Sequence, residues 1–144
     1  MLPNFTELGL LPEGIHRATF EEFEKRFVYF DVSDRRFRLF DKLRELYQQA
    51  KNSSIVKRFL IGGSFVTDKA EPNDFDCILV FDSLVQDLDL PPMQYNLVSL
   101  DMARRIFGGD VFPVIEDSFQ YHRYTEFFQS TRGGERVGIV EIEL

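Results

Sequence analysis

The chain has 144 residues, 44% apolar and 28% charged, which suits one compact domain with its own core and excludes a disordered or fibrous chain. Its formal net charge of −7 argues against broad binding along a nucleic-acid backbone, which requires Lys and Arg to neutralise phosphates. The single cysteine, Cys77, lies in an apolar run, so neither an intramolecular disulfide nor a cysteine–metal cluster is possible and a reducing compartment is expected.

The opening "MLPNFTELGL" has neither a basic leader nor a continuous apolar stretch, and no segment approaches the roughly 18 apolar residues of a membrane span. A cytoplasmic protein without a membrane segment is expected. "LGLLPEGIHRA" reads as a loop. Thr19 and Glu22 then have capping-box spacing, and Phe20, Phe23, Phe27 and Phe30 recur every three or four residues, which predicts a helix with one buried stripe. Ser33 would cap a second helix running to about Asn52, with Phe37, Phe40, Leu43, Leu46, Tyr47 and Ala50 on its apolar face. Arg35, Arg38 and Lys42 share one flank of it, which a solvated face explains more simply than a ligand does.

"IVKRFLIGG" and "DFDCILVF" are short apolar runs of buried-strand type, separated by a loop in which Pro72 forbids a long helix. "SLDMARRIFGGD" predicts a helix capped by Ser99 and stopped at Gly108 or Gly109, and "VFPVI" is a weak strand candidate. "SFQYHRYTEFFQ" has helical spacing, and "TRGGERVGIVEIEL" reads as a turn feeding a terminal strand with alternating faces. The 16 phenylalanines, with no tryptophan, are expected to fill the core. The predicted order is helix, helix, strand, strand, helix, helix, strand, a mixed α/β (α+β) fold in one domain, residues 1–144. His16 and His122 are isolated in sequence and receive no role.

The chemistry concentrates between the two strands. Residues two apart on a strand point the same way, so Asp74 and Asp76 share a face with Cα atoms about 6 to 7 Å apart. Such a pair suits a hard divalent cation, and Mg²⁺ usually completes its shell with water and substrate phosphates. Gly62 and Gly63 lack a Cβ and let the backbone approach an anion, and Ser64 adds a hydroxyl.

A strand, Gly63–Ser64, a short loop and Asp74-x-Asp76 opening the next strand together resemble the nucleotidyltransferase superfamily of the DNA polymerase beta type, in its minimal single-domain form, over residues 56 to 81. More narrowly, "LLPEGIHRATFEEF", "GGSFVTDKAEPNDFD" and "EFFQSTRGGERVGIVEIEL" are similar to a bacterial family of nucleotidyltransferase-like proteins. The resemblance implies a small mixed sheet flanked by helices. It implies that Gly63 and Ser64 hold the triphosphate, that Asp74 and Asp76 bind Mg²⁺, and that a third carboxylate on a neighbouring strand completes the metal site. Glu141 and Glu143 on the terminal strand are the candidates for that third place, with Glu141 preferred, although the superfamily usually has Asp there. Lys69, and Arg132 or Arg136, could reach a phosphate.

The resulting expectation is a Mg²⁺-dependent nucleotidyltransferase that moves NMP from ATP or another NTP to a hydroxyl of a protein partner encoded nearby, as in toxin–antitoxin pairs. The alternatives are a catalytically inactive nucleotidyltransferase-like module that binds a partner or senses a nucleotide, and a tRNA-modifying toxin using the Arg35, Arg38, Lys42 flank.

Overall fold

The computed structural model describes residues 1–29, 34–83, 97, 99–107 and 109–144. Five strands form one mixed sheet: β1 (Gly14–Ala18), β2 (Val56–Gly62), β3 (Asp76–Phe81), β4 (Asp110–Ile115) and β5 (Gly138–Ile142). Their spatial order is β1-β5-β2-β3-β4. The outer pairs β1/β5 and β3/β4 are parallel, while β2 runs antiparallel to both β3 and β5. Among the described residues the α-helices are α1 (Phe20–Phe27), α2 (Asp34–Ser53), α3 (Leu100–Phe107) and α4 (Phe119–Phe127).

The helices start where local chemistry provides for them. Thr19 Oγ1 accepts the Glu22 amide at 3.1 Å and Ser118 Oγ accepts the Tyr121 amide at 3.1 Å, each satisfying an amide that the first turn leaves free. Ser99 does the same for Met102 at 3.4 Å. The expected cap Ser33, the last stripe residue Phe30 and the stop residue Gly108 lie outside the described residues.

Each sheet face carries its own core. On one face Phe59, Ile61, Cys77, Leu79, Phe81, Val140 and Ile142 meet Phe23 and Phe27 of α1 and Phe40, Leu43, Leu46 and Tyr47 of α2. On the other, Leu60, Ile78, Val80, Val114 and Ile139 pack beneath Tyr121 of α4. Most of the aromatic load is core, as expected: Phe23, Phe27, Phe40, Phe59, Phe65, Phe75, Phe81 and Phe107 are all buried. Phe37, Phe119 and Phe127 are exposed. Phe37 was expected on the buried face of α2. Its neighbour Arg36 takes the inward position instead, and Phe37 packs on the ring of Tyr29 with centroids 5.7 Å apart.

Two strands change the expected order. Gly14–Ala18, within the segment read as a loop, is an edge strand paired in register with β5 from Gly14↔Gly138 to Ala18↔Ile142. "GIHRA" carries no alternation of its own, and it becomes a strand because β5 offers a partner. β4 is the other edge and contains Pro113. An edge strand tolerates proline because the missing N–H can face away from the ladder. Between them β5 is a central strand, buried along its whole length rather than alternating. Among the described residues, no helix is long and apolar enough to cross a membrane.

Candidate metal and phosphate site

The site lies where β3 and β4 begin. Register places Gly62 opposite Asp76 and Asp76 opposite Asp110, so the three residues form one row across the end of the sheet. Asp74 precedes the strand, with Phe75 turned into the core between the two acids. Asp74, Asp76 and Asp110 each offer a carboxylate oxygen, and these oxygens lie within 4.8 Å of one another. The group could hold a divalent metal ion. All-oxygen donors at this spacing suit a hard cation such as Mg²⁺.

Two glycines make the row possible. Gly63 sits at φ +82°, and a Cβ there would overlap the Asp76 carboxylate. A Cβ at Gly109 would run into the ring of Phe75, whose carbonyl accepts the Asp110 amide at 3.2 Å. Glycine at both positions lets the β2 and β4 backbones close on β3 from either side.

Electrostatics single out the centre of the group. Burial, then the neighbouring Asp74 and Asp110 charges, push the Asp76 carboxyl up to about 7, against an opposing pull from Arg132. Asp74 is raised by burial and by Asp110, opposed by Arg132 and Lys69. Neither the Asp74 nor the Asp76 carboxylate has a hydrogen bond or salt bridge among the described residues. Asp110 is paired with the exposed Arg104 at 2.6 Å. Three carboxylates held this close repel one another, and a divalent cation would relieve the repulsion.

The sign for stability follows directly. The folded chain holds the Asp76 proton more tightly than the unfolded chain, so this group costs no stability below about pH 4 and an increasing amount as pH rises to about 7. Asp76→Asn is therefore expected to stabilise the chelator-treated protein at pH 8 by about 1–2 kcal/mol, discounted because the group is partly solvated. That corresponds to a Tm rise of ~3–6 °C, shrinking toward pH 4, in thermal melts at a series of pH values. A lower Tm for the variant at pH 8 would show that Asp76 is instead held by favourable contacts.

Gly63 and Ser64 stand beside this group, as expected from the sequence. Gly63 precedes a single 3₁₀ turn, Ser64–Val66, and the half-buried Ser64 hydroxyl has no hydrogen-bond partner among the described residues. Lys69 and Arg132 are exposed and near enough for their charges to act on Asp74, and Arg132 on Asp76 too. Arg136 is engaged elsewhere, bonded to Glu13 at 2.8 Å, Glu126 at 3.0 Å and Ser130 at 2.7 Å, where it holds the turn before β5.

The structure does not bring Glu141 to the acidic group. Register sets Glu141 opposite Leu60, two rows further along the sheet than Gly62 and Asp76. There its carboxylate accepts from Arg58 Nε at 2.9 Å and from Nη2, with Arg17 Nε at 3.6 Å. Arg58 in turn donates to the Tyr121 hydroxyl. Glu143 is exposed at the chain end and contributes backbone contacts, its amide to Ala18 at 2.9 Å and its carbonyl to the Tyr47 hydroxyl at 2.6 Å. The third carboxylate of the group is Asp110. Its signal was present in "GGD", an acid opening a strand directly after glycine, as Asp76 opens β3; what was missing was that β4 lies beside β3.

Residues 3–143 match a family described as a family of unknown function (DUF6932). The chain belongs to that family. Neither the curated proteins nor the solved structures contain a match to it. In this DUF6932 chain the acidic row, the Gly63 turn and the flanking cations all fall inside the matched segment, and the family description assigns them no role.

Proposed function

We propose that the protein is a divalent-metal-dependent nucleotidyltransferase that transfers NMP from ATP or another NTP to a hydroxyl of a protein partner. The observation that carries this reading is the meeting of Asp74, Asp76 and Asp110 at strand ends beside the Gly63–Ser64 turn, with Lys69, Arg104 and Arg132 around them. Carboxylates alone would repel a polyanion. Carboxylates ringed by cations suit a metal-bound triphosphate. The resemblance of Gly63–Ser64 and Asp74-x-Asp76 to nucleotidyltransferases of the DNA polymerase beta type supports the same reading, with Asp110 in the place first given to Glu141.

Asp74, Asp76 and Asp110 would hold Mg²⁺, which when bound lowers the pKa of an attacking hydroxyl and neutralises charge on the phosphates. The chain's own groups do the rest. Ser64, Lys69 and Arg132 bind the β- and γ-phosphates and keep the leaving group in line with the acceptor. The acceptor oxygen forms a bond to the α-phosphorus, the bond from that phosphorus to the β-bridging oxygen breaks, and pyrophosphate leaves. A carboxylate oxygen of the acidic group receives the hydroxyl proton. The net charge of −7 favours a protein acceptor over tRNA, and a toxin encoded beside this chain is the first acceptor to try.

The test is incubation with α-labelled ATP, Mg²⁺ and the product of the adjacent gene, comparing wild type with the Asp74→Ala, Asp76→Ala double variant. Label should enter the partner with wild type alone; equal labelling by both proteins would reject the proposal. A second reading, an inactive module that binds a partner, is favoured by the exposed Phe119 and Phe127 on α4. It requires partner binding that the same double variant leaves unchanged and no labelling by either protein.

A further inference from the structure

Arg36 falls one turn before Leu39 and Phe40 on the apolar face of α2, a position where the helical pattern calls for a core residue. Its side chain is fully buried, 0% exposed. The guanidinium spreads across four backbone carbonyls. Nη1 donates to Phe27 and to Phe65 at 2.8 Å each, Nη2 to Thr67 at 2.8 Å and to Lys69, and Nε to Lys69 at 3.1 Å. One of these carbonyls ends α1, and three belong to the segment running from the Gly63 turn toward Asp74.

The carbonyls at 65, 67 and 69 run from the 3₁₀ turn into the loop that follows it, so a single planar fork fixes three points of that segment. A second contact closes the far side: the Asp68 amide donates to the Gly9 carbonyl at 3.0 Å, and Gly9, at φ +74°, leaves no room for a Cβ against the Asp68 side chain. Ser64 and Lys69 are thus set at the two ends of a segment held from within by Arg36. Asp76 and Asp110 are placed by strand register instead, which does not involve Arg36, and Asp74 stands two residues before Asp76.

We propose that Arg36 is the positioning residue for the phosphate-binding segment, residues 64–69, and that it acts on nucleotide binding separately from metal binding. The proposal rests on the nucleotide reading above. Lysine keeps the charge but offers its donors from one point, so Arg36→Lys frees part of the segment. Each charge-assisted bond lost is worth about tenfold or more in affinity.

The experiment measures Mn²⁺ affinity by electron paramagnetic resonance, Mg²⁺–ATP affinity by calorimetry, and amide hydrogen exchange, for wild type and Arg36→Lys. The expected result is faster exchange at residues 64–69 with the sheet still protected, Mn²⁺ affinity unchanged, and ATP affinity at least about tenfold weaker. Equal affinities for both ligands, or equal losses in both, would overturn it. Should Arg36→Lys not fold, Arg36→Ala is refolded with methylguanidine, which is expected to restore ATP affinity and slow exchange at 64–69; no restoration overturns the proposal. If wild type binds Mn²⁺ but not ATP, the nucleotide reading fails on its own, and the proposal fails with it as a statement about nucleotide.

Discussion

Asp110→Asn is expected to reduce the proposed Mg²⁺-dependent nucleotide transfer by at least about 10²–10³-fold, because it removes one of the three carboxylates that could hold the metal where charge develops in that reaction. The variant should fold. The ion pair it loses, with Arg104, is exposed and worth about 0–1 kcal/mol. Steady-state labelling and Mn²⁺ affinity, measured on the same preparation, check the claim together. Arg104→Ala is the control, since it removes the partner and keeps the ligand. Wild-type labelling by Asp110→Asn would take Asp110 out of the site and reopen the question of a third carboxylate.

Glu141→Ala is expected to do the opposite, sparing the metal site and destabilising the fold. Glu141 is nearly buried, and its removal strands the Arg58 guanidinium between β5, β2 and Tyr121. Breaking a buried pair from one side costs several kcal/mol, because the remaining charge keeps its desolvation and loses its partner. Arg58 keeps some solvent contact, so about 2–4 kcal/mol is expected here, or ~5–12 °C in Tm for a chain of this size. Thermal melts measure the loss, and Mn²⁺ titration should show affinity within about twofold of wild type, since no ligand is removed. A large loss of Mn²⁺ affinity without a change in Tm would return Glu141 to the site.

Arg36 and Glu141 show the limits of reading this chain residue by residue. Both are charged side chains in apolar surroundings, one on a helix stripe and one on a central strand. Pattern reading treats such residues as surface or as ligands. Each is instead a buried charge satisfied by partners that lie far off in sequence, Phe65 to Lys69 for Arg36 and Arg58 for Glu141. Gly63, Ser64, Asp74 and Asp76 were legible because they sit within 14 residues of one another and belong to the same strand–loop–strand unit. Asp110 was not, because nothing local says which strand lies next to β3.

The sequence by itself determined the helices, strands β2 and β3, the phenylalanine core, and two of the three carboxylates of the candidate site. Those features rest on local periodicity, caps and turn residues, all of which act between near neighbours in the chain. Tertiary structure alone decided that Gly14–Ala18 is a strand, that β5 is central, and that Asp110 rather than Glu141 stands beside Asp76. These are matters of strand order and register. They depend on which backbones pair across the sheet, and two rows along it separate the acidic group from the carboxylate that an arginine holds.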